Sequence, residues 1–531
     1  MKIKSMLVGM LACTAMVSCT NDDVLENNDV IKAGEKSYVS VNIVAPGSVT
    51  GRAVTAEDFA AGTADEVNVK DAVFLFLNDK FEGCANPYYT NSLEFADAEG
   101  LGQDKEATVL VIDGAKEVPT YLVAILNPVN KDAYTASTTL AQLKAEHATY
   151  TTCTAQNFVM SNAVYRAENG KEVAATPVTM DYIFDTYGKA EDKPLTIQVE
   201  RVVGKVAVNL NGAADKWTMD DQIDNDETKQ LKLQITGWDI LQNNESTLVK
   251  NVDLSWNHAW WNDVTNKRSY WAKDYTAADR NELFVDAMTI PTSAFRYVEE
   301  TVCQTPQTEE AIKKAMLGDN QKPYLVVAGE FVDAKTGEKV ELVEWRGRKY
   351  TMDGYLNFIA GNSKVSQYWT KNADGTYTSF SVELLELVAD EDVDWLASAQ
   401  LKDENTQFYT CTFKPDGTVD AATPVVVAEG ETNPVAAAIA EFGKVQYWNG
   451  GNTYYYTPIK HETVGTDNFY GVVRNHVYNV TIKSISGYGT PVSHPDNAIE
   501  IPEKPVDDHS YLAAEVVILD WKVVNNEVEL N

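Results

Sequence analysis

Cys19 stands where a thiol would be acylated in an exported protein. Lys2 and Lys4 precede an apolar run at residues 6–12, and a small residue comes directly before Cys19. A charged start, a short apolar core and a small residue at the cleavage site are typical of a signal peptide, and the apolar run is too short to span a bilayer. Residues 1–18 are therefore predicted to be a lipoprotein signal peptide that leaves lipidated Cys19 as the first residue.

Two alternatives remain open at this site. Met16 replaces the leucine that is usual three residues before a lipidated cysteine, and Cys13 could be acylated instead. The apolar run before Cys13 would be very short, which favours Cys19. The second alternative is an ordinary secretory signal in which the cysteine is accidental.

Arg52 is a basic residue in a loop-like segment where a protease could hydrolyse the chain. It follows residues 38–44, whose alternating apolar and polar side chains predict a half-buried strand. The apolar face of that strand consists of Val39, Val41 and Ile43. Taken alone, Arg52 could be one exposed arginine among many, but an exported chain with a removable strand near its start suggests a surface polymer subunit rather than an enzyme.

The other residues capable of chemistry do not assemble a catalytic or metal site. His461 and Glu462 lack the second histidine of an HExxH zinc motif, and no Gly-x-Ser-x-Gly occurs. The six histidines are dispersed, so His461 and His476 are expected to form hydrogen bonds within the C-terminal domain. We predict no catalytic residue, no metal and no cofactor.

Two acidic loops and one aromatic cluster could bind ligands. Neither loop has the glycine and terminal glutamate of an EF-hand, so solvated loops are favoured over calcium sites. The acids are Asp220, Asp221, Asp224 and Asp226 in one loop and Asp390, Asp392 and Asp394 in the other. The aromatic cluster could stack on sugars or a partner, but core or interface positions are favoured. Its members are Trp256, Trp260, Trp261, Tyr270, Trp271 and Tyr275.

The length of 531 residues predicts two or more domains, and 44% hydrophobic residues suffice for packed cores. The formal net charge of −34 argues against nucleic acid and anionic lipid as partners. Because repulsion between like charges also opposes non-specific aggregation, assembly of such subunits requires a specific apolar contact. No later stretch reaches the ~18 uninterrupted apolar residues of a transmembrane helix.

Four cysteines lie beyond the signal: Cys84, Cys153, Cys303 and Cys411. They permit three disulfide pairings, and the sequence does not choose among them. Because there is no CxxC, metal or redox use is disfavoured, and most of the four are expected to be buried small apolar residues.

Short strands separated by turns dominate the rest of the pattern. The main predicted strands are residues 71–77, 108–112, 121–126, 195–203, 206–210, 231–235, 324–328, 339–343, 445–448, 453–456 and 476–482. Predicted helices are limited to residues 137–147, 308–317 and 433–442. This pattern predicts a mainly β fold of antiparallel β-sandwiches with few short helices. A polar, acidic stretch at residues 211–230 indicates a domain boundary.

The C-terminus combines a linker with a long apolar strand. Residues 486–510 are rich in Gly, Pro, Asp and His, and residues 511–524 then predict one strand. Side chains that share its apolar face are Val517, Leu519, Trp521 and Val523. Such an arm can pack in its own subunit or in a neighbour.

Several short motifs together resemble the fimbrillin family, the type V pilins of Gram-negative anaerobes, and are most similar to the major subunit of the short, or minor, fimbriae. The most specific motif is GVVRNHVY at Gly471–Tyr478. The others are residues 158–165, 199–206, 268–272, 454–461 and 487–491, so the resemblance spans nearly the whole chain.

The resemblance implies two transthyretin-like β-sandwich domains, here residues 53–212 and 213–485, and a route of assembly. An Arg-specific protease would cut between Arg52 and Ala53 and so release the propeptide, residues 19–52, with its strand. The donor strand of another copy, within residues 486–531, would then fill the groove by β-strand addition. Burying four large side chains would contribute on the order of 6–12 kcal/mol per joint before entropy costs.

The sequence thus predicts a structural major subunit of a cell-surface fimbrium, exported to the outer membrane as a lipoprotein, that polymerises by protease-triggered donor-strand exchange and supports adhesion and virulence. Expected partners are copies of itself, accessory fimbrial subunits, the protease, a host or bacterial surface receptor and, through its lipid, the outer membrane. Two alternatives are an accessory (anchor or tip) subunit and a glycan-binding surface lipoprotein.

Overall fold

The structure is a computed structural model, and strands greatly outnumber helices in the part of the chain that it describes. This confirms the predicted mainly β class. The described residues are 36–44, 59–61, 63–91, 93, 108–148, 157–167, 170–218, 223–224, 230–242, 247–250, 252, 269, 281–302, 322–464, 467–502 and 511–522.

The described helices are short. The α-helices are α1 (Ala64–Val67), α2 (Leu140–Lys144), α3 (Tyr187–Glu191), α4 (Met352–Ala360), α5 (Ser363–Ser366) and α6 (Pro434–Ala440). Single 3-10 turns occur at Lys131–Ala133, Met180–Tyr182, Ala214–Lys216, Val382–Leu384 and Asn449–Gly451. None of the described helices has the length and apolarity needed to cross a membrane.

Strands of the first half of the chain are mostly three to eight residues long. They are β1 (Ser37–Val44), β2 (Phe59–Ala61), β3 (Ala72–Leu77), β4 (Tyr88–Thr90), β5 (Thr108–Ile112), β6 (Tyr121–Leu126), β7 (His147–Ala148), β8 (Met160–Asn162), β9 (Tyr165–Arg166), β10 (Glu172–Val173), β11 (Thr176–Pro177), β12 (Leu195–Arg201), β13 (Gly204–Asn209), β14 (Leu231–Leu241) and β15 (Thr247–Leu248).

Strands of the second half include the longest in the molecule as described. They are β16 (Phe295–Val298), β17 (Thr301–Val302), β18 (Tyr324–Asp333), β19 (Leu342–Trp345), β20 (Arg348–Thr351), β21 (Tyr368–Lys371), β22 (Tyr377–Ser379), β23 (Leu385–Ala389), β24 (Leu396–Leu401), β25 (Phe408–Phe413), β26 (Val419–Pro424), β27 (Lys444–Trp448), β28 (Asn452–Pro458), β29 (Lys460–Val464), β30 (Asp467–Val472), β31 (His476–Ser486), β32 (Thr490–Pro491) and β33 (Tyr511–Lys522).

The N-terminal sheet has the strand order β4-β3-β6-β8-β12-β1-β5, with β11 paired beside β6. Its pairs are antiparallel except β1 with β12, which run parallel. Because β3 reads AVFLFL and all six of its residues are buried, the sheet is covered on both faces at this strand. Its apolar core extends along the chain from Val39 to Val203 and includes Val473 and Val477.

The C-terminal sheet has the order β16-β13-β31-β33-β2 and combines strands from both ends of the chain. A further sheet, β14-β18-β28-β32, is antiparallel, and its β14–β18 pair runs for ten registered residue pairs with one bulge. Side chains from both sheets form one core, which includes Trp238, Trp448 and Tyr478.

Residues 342–448 form an insert in the chain between two strands that are neighbours in a sheet. The insert has its own apolar core. The strands β18 and β28 pair directly, with Glu330 opposite Asn452, yet this stretch separates them along the chain. Its core runs from Val343 to Tyr447 and contains residues of the sheets β20-β19-β27-β24-β23 and β22-β21-β25-β26 and of the helices α4 and α6. The predicted domain 213–485 therefore contains more than one core, and the predicted domain boundaries stay a prediction.

Local differences from the sequence prediction have physical causes. The predicted helix 137–147 is shortened to α2, because Thr139 caps its first turn and His147 pairs in a short strand with Leu248. The helix predicted at 433–442 is confirmed as α6, which begins with Pro434 after the cap residue Asn433. The helix predicted at 308–317 lies outside the described residues.

Candidate functional site

Strand β1 is bonded along both of its edges. On one side Val39 pairs with Leu110 of β5, antiparallel, and on the other side Val41 pairs with Leu195 of β12, parallel. The start of β1 is held by two further hydrogen bonds, because the backbone amides of Tyr38 and Phe184 each donate to the other residue's carbonyl at 2.8 Å. Its removal would leave unpaired backbone on two strands.

One face of β1 is part of the N-terminal core. Val39, Val41 and Ile43 are each only 1% exposed, as the alternation in the sequence predicts. They share this core with buried residues of both flanking strands, among them Leu110 and Ile197. Burying three such side chains contributes roughly 5–9 kcal/mol to stability.

The other face of β1 is less well matched to its surroundings. Tyr38 packs edge-on against Tyr187 of α3, with ring centroids 6.4 Å apart. Ser40 is fully buried, and its hydroxyl has no hydrogen-bond partner among the described residues. An unsatisfied buried hydroxyl costs about 1–3 kcal/mol. The position that β1 occupies in the sheet is thus apolar. The buried, unsatisfied Ser40 hydroxyl makes β1 a less than optimal occupant of that position.

The chain after Arg52 is anchored by Glu66 in helix α1. Glu66 is fully buried, and its carboxylate accepts hydrogen bonds from the Tyr297 hydroxyl at 2.5 Å, the Thr63 amide at 2.7 Å and the Lys205 ammonium at 2.9 Å. Its backbone carbonyl accepts a fourth from Arg201 Nε at 3.0 Å. Burial alone would raise the pKa of the Glu66 carboxyl, but the hydrogen bonds outweigh it and lower that pKa. The carboxylate therefore stays ionised and holds the segment to β13 and β16 of the C-terminal sheet, while the Glu66 carbonyl ties it to β12 of the N-terminal sheet.

The GVVRNHVY motif lies at the contact between the two cores. Arg474 is 1% exposed, and its guanidinium donates to both carboxylate oxygens of Glu300, at 2.8 and 2.5 Å. A third bond goes from Arg474 Nη1 to the Val249 carbonyl at 2.8 Å. Burial by itself would lower the pKa of the Arg474 guanidinium, but the Glu300 carboxylate outweighs burial and raises that pKa. Because bidentate buried pairs lose much when one partner is removed, this motif fixes how the cores meet.

A buried lysine lies near that junction. Lys250 is fully buried, and its ammonium donates to the Asn162 carbonyl at 2.6 Å. Burial lowers the pKa of Lys250 to about 7, although the nearby Glu200 carboxylate raises it in part. The charge of this lysine is therefore lost in the folded chain within a pH range where an unfolded lysine keeps it.

Stability is expected to rise between pH 7 and pH 9 because of Lys250. Across this range the unfolded chain binds a proton that the folded chain lacks, so raising the pH favours folding, by about 2 kcal/mol in total. The change Lys250→Met should abolish this gain, as measured by urea unfolding at the two pH values. Lys402→Met, at an exposed position, serves as the control and should keep it. An equal rise in Lys250→Met and the unsubstituted chain would contradict the assignment.

The last strand, β33, is paired within its own chain. It runs antiparallel to β31 over ten registered residue pairs, from His476 opposite Asp520 to Ser486 opposite Tyr511, with one bulge. On its other edge, Asp520–Lys522 pair in parallel with β2. The end of the chain and the segment that follows Arg52 are therefore neighbours in one sheet.

The structure places the predicted site residues in different parts of the molecule. The removable-strand residues Val39, Val41 and Ile43 lie in the N-terminal sheet, whereas Val517, Leu519 and Trp521 lie in β33 of the C-terminal sheet, so the two strands are not brought together within one chain. The predicted residues outside the described part of the chain are Cys19, Arg52, Ala53 and Val523.

The remaining sequence predictions have mixed outcomes. His461 Nδ1 bonds to the Tyr478 hydroxyl at 2.7 Å and His476 Nδ1 to the Arg474 carbonyl at 2.7 Å, as expected. Within the described residues, Cys84 and Cys411 are free and no group of three or more His, Cys, Asp or Glu is arranged to hold a metal ion. Outside them lie Cys153, Cys303, the acids Asp220, Asp221 and Asp226, and all six members of the aromatic cluster between Trp256 and Tyr275.

Three of the acidic-loop residues that are described have protein partners for their carboxylates. Asp390 forms an ion pair with Lys444. Asp224 accepts hydrogen bonds from the Thr351 amide at 2.9 Å and the Thr351 hydroxyl at 2.8 Å, next to the start of α4. Asp394 accepts one from the Asn497 side chain at 2.7 Å.

The buried charges at the junction were not foreseen from the sequence. Glu66, Lys250 and Glu300 occur in segments where solvated positions would be the default expectation for charged residues. One sequence signal for a buried charge was available: a charged residue flanked by apolar ones, as in Val473-Arg-Asn-His-Val477. This segment belongs to the most specific family motif, Gly471–Tyr478.

The match to a known protein family lies in the C-terminal part of the chain. Residues 446–527 match the family model for the C-terminal region of fimbrillin, described as the major fimbrial subunit protein type IV. The matched stretch contains the motif at Gly471–Tyr478 and strand β33. The resemblance to fimbrillins is thereby confirmed over this region. No curated protein matches the chain in sequence.

Solved structures similar to this chain come from species of Parabacteroides, Bacteroides and Porphyromonas. A candidate cell adhesion protein of Parabacteroides distasonis is 10% identical, with 93% of this chain and 99% of that chain covered and a TM-score of 0.39. One from Bacteroides eggerthii is 11% identical, with 93% and 99% covered and a TM-score of 0.37. The tip fimbrial protein Mfa3 of Porphyromonas gingivalis, truncated at its C-terminus, is 12% identical, with 92% and 100% covered and a TM-score of 0.31. TM-scores of this size do not establish a common arrangement of the whole chain.

Proposed function

We propose that this chain, a fimbrillin-family protein by its C-terminal match, is a structural subunit of a cell-surface fimbrium that joins its neighbours by strand exchange. The observation that carries the proposal is the position of β1. It fills a full strand position, with Val39, Val41 and Ile43 in the core and both edges bonded, yet it precedes a candidate cleavage site. Its departure would open an apolar groove with two unpaired edges, which only another strand can fill.

The proposed route uses the residues in chain order. The precursor travels as a lipoprotein through Cys19, and an Arg-specific protease cuts between Arg52 and Ala53. Residues 19–52 then leave with β1, and the groove takes the last strand of another copy, through Val517, Leu519, Trp521 and Val523. The assembled fimbrium supports adhesion to a host or bacterial surface receptor, and accessory subunits complete it.

Two described features support this route. Glu66 follows β2 by only a few residues and is hydrogen-bonded to Tyr297 and Lys205. After a cut at Arg52, the new start of the chain would therefore stay bound to the C-terminal sheet when β1 leaves. The last strand is long enough for a replacement, because β33 spans Tyr511–Lys522 and β1 spans only Ser37–Val44. This is the role of a structural protein rather than an enzyme.

The intact mass of protein extracted from the cell surface tests the proposal. A chain that begins at Ala53 is the expected result for a subunit of the filament shaft. A chain that begins at lipidated Cys19 would instead fit an anchor subunit or a surface glycan-binding lipoprotein, and it would overturn the strand-exchange proposal.

A further inference from the structure

A cavity of about 390 Å³ opens beside helix α2 in the N-terminal domain. The described part of its walls comes from residues 129–146 and includes Tyr134, Gln142 and Glu146. This volume falls in the range of small-molecule sites and accommodates one long side chain with part of its backbone.

The cavity walls are held in place by hydrogen bonds, so the cavity is preformed. The Tyr89 hydroxyl donates to the carbonyl of Lys131 or of Tyr134, at 3.0 and 3.1 Å. Thr139 and Gln142 form a reciprocal capping box at the start of α2. At the far end, the Val249 amide donates to the Glu146 carbonyl at 2.8 Å. Preformed walls reduce the entropy cost of binding.

Glu146 is a half-buried carboxylate with no counter-ion among the described residues. Its carboxylate accepts a hydrogen bond from the Tyr134 hydroxyl at 2.5 Å, and no described cation forms an ion pair with it. Burial raises the pKa of the Glu146 carboxyl, and the Tyr134 hydroxyl lowers it only in part. A desolvated carboxylate of this kind gains most from a positively charged partner.

Most other polar groups of the cavity already satisfy one another. The Thr138 hydroxyl accepts from the Thr135 amide at 2.8 Å, and the Thr135 and Ser137 hydroxyls share a bond of 3.0 Å. The Gln142 carbonyl oxygen accepts from the Thr139 amide at 2.8 Å. These groups therefore offer little to a neutral sugar, whose hydroxyls need several convergent donors and acceptors.

We infer that this cavity binds an organic cation, the guanidinium or ammonium group of an arginine or lysine side chain in a basic peptide, with Glu146 as its counter-ion. The Tyr134 ring adjoins the carboxylate and can contact the aliphatic stem or the charged group. The net charge of −34 attracts basic peptides to the surface in the first place. This inference does not depend on strand exchange.

Calorimetric titration of the purified full chain with N-acetyl-arginine N-methylamide tests the inference, with the citrulline analogue as the uncharged probe of the same shape. The arginine probe is expected to bind about tenfold or more tightly than the citrulline probe, since hydrogen bonds to charged groups are worth at least that factor. Affinity for the arginine probe should also fall at acid pH, when the Glu146 carboxyl takes up a proton.

Two substitutions locate the binding. Glu146→Gln keeps the shape and should weaken arginine-probe binding about tenfold, whereas Glu404→Gln, at an exposed glutamate of the insert, should leave it unchanged. Tyr134→Phe removes the hydrogen bond to Glu146 but keeps the carboxylate, and it should retain binding, which shows that loss of this hydrogen bond does not explain weaker binding by Glu146→Gln. Equal affinity for both probes, no detectable binding, unchanged affinity in Glu146→Gln, or preferential binding of methyl galactoside would each overturn the inference.

Discussion

The Arg52→Ala variant is expected to stay at precursor length on the cell surface and to form no filaments. Arg52 lies in the stretch of chain between the end of β1 at Val44 and the start of β2 at Phe59. Without a cut there, β1 remains covalently joined to the body. This tether gives β1 a very high effective concentration at its own position, and a strand from another copy must compete against it. Electron microscopy of sheared surface material and its intact mass measure the two outcomes.

The size of this effect follows from what β1 contributes. Its three buried apolar side chains account for roughly 5–9 kcal/mol, and it carries backbone hydrogen bonds to two strands besides. A tethered strand of this kind is not displaced by a free one, so loss of filaments should be nearly complete rather than partial.

Arg348→Ala is the matched control, because Arg348 is an exposed arginine at the start of β20, next to the turn of the β19–β20 hairpin. It should leave both processing and filament formation unchanged. Arg52→Lys adds a second test: an Arg-specific protease leaves it uncut, whereas a protease that accepts any basic residue restores filaments. Filaments of normal length from Arg52→Ala would refute the cleavage site.

Deletion of residues 511–531 is expected to give folded monomers that do not polymerise. The deletion removes β33 and uncovers one edge of β31, but β31 stays paired on its other edge with β13. Of the described side chains of β33, Leu512 packs against the core that contains Trp238, and none belongs to the core that contains Val343. Size-exclusion chromatography after treatment with the protease measures the assembly state, and circular dichroism shows whether the fold persists.

A shorter deletion of residues 525–531 is the control, because it leaves both β33 and the predicted donor side chains intact. It should polymerise normally. A synthetic peptide of residues 511–524 should bind processed subunits and block their growth, which separates a missing donor strand from a damaged fold. Polymerisation of the longer deletion would place the donor elsewhere in the chain.

Strands with a regular pattern of apolar side chains could be predicted from the sequence. Residues 108–112 and 121–126 form strands with the predicted bounds, and the alternation at residues 38–44 identifies the buried face of β1 correctly. In these segments the residues favour a strand and their apolar side chains are also buried in it. The sequence pattern alone is therefore sufficient to predict the strand.

Features that depend on distant parts of the chain could not be predicted. Helix α2 ends early because His147 pairs with Leu248, about a hundred residues away. The insert has no composition shift at either end, since Leu342 and Trp448 belong to the core of the surrounding sheets. The partners of Glu66 likewise come from Lys205 and Tyr297, and only the folded chain brings them together.

The insert leaves and re-enters the body at one place, and this has an evolutionary consequence. Gly451 lies at the return, with a φ of 75°, and a Cβ atom there would be 2.8 Å from the Phe331 carbonyl oxygen, so the junction accepts only glycine. Beyond this point the insert has its own core and exposes residues such as Phe413 and Val426. Sequence changes can therefore accumulate in this unit, or the whole unit can be exchanged, without altering the strands of the surrounding sheets. The same geometry makes the insert a natural position for displaying a foreign epitope.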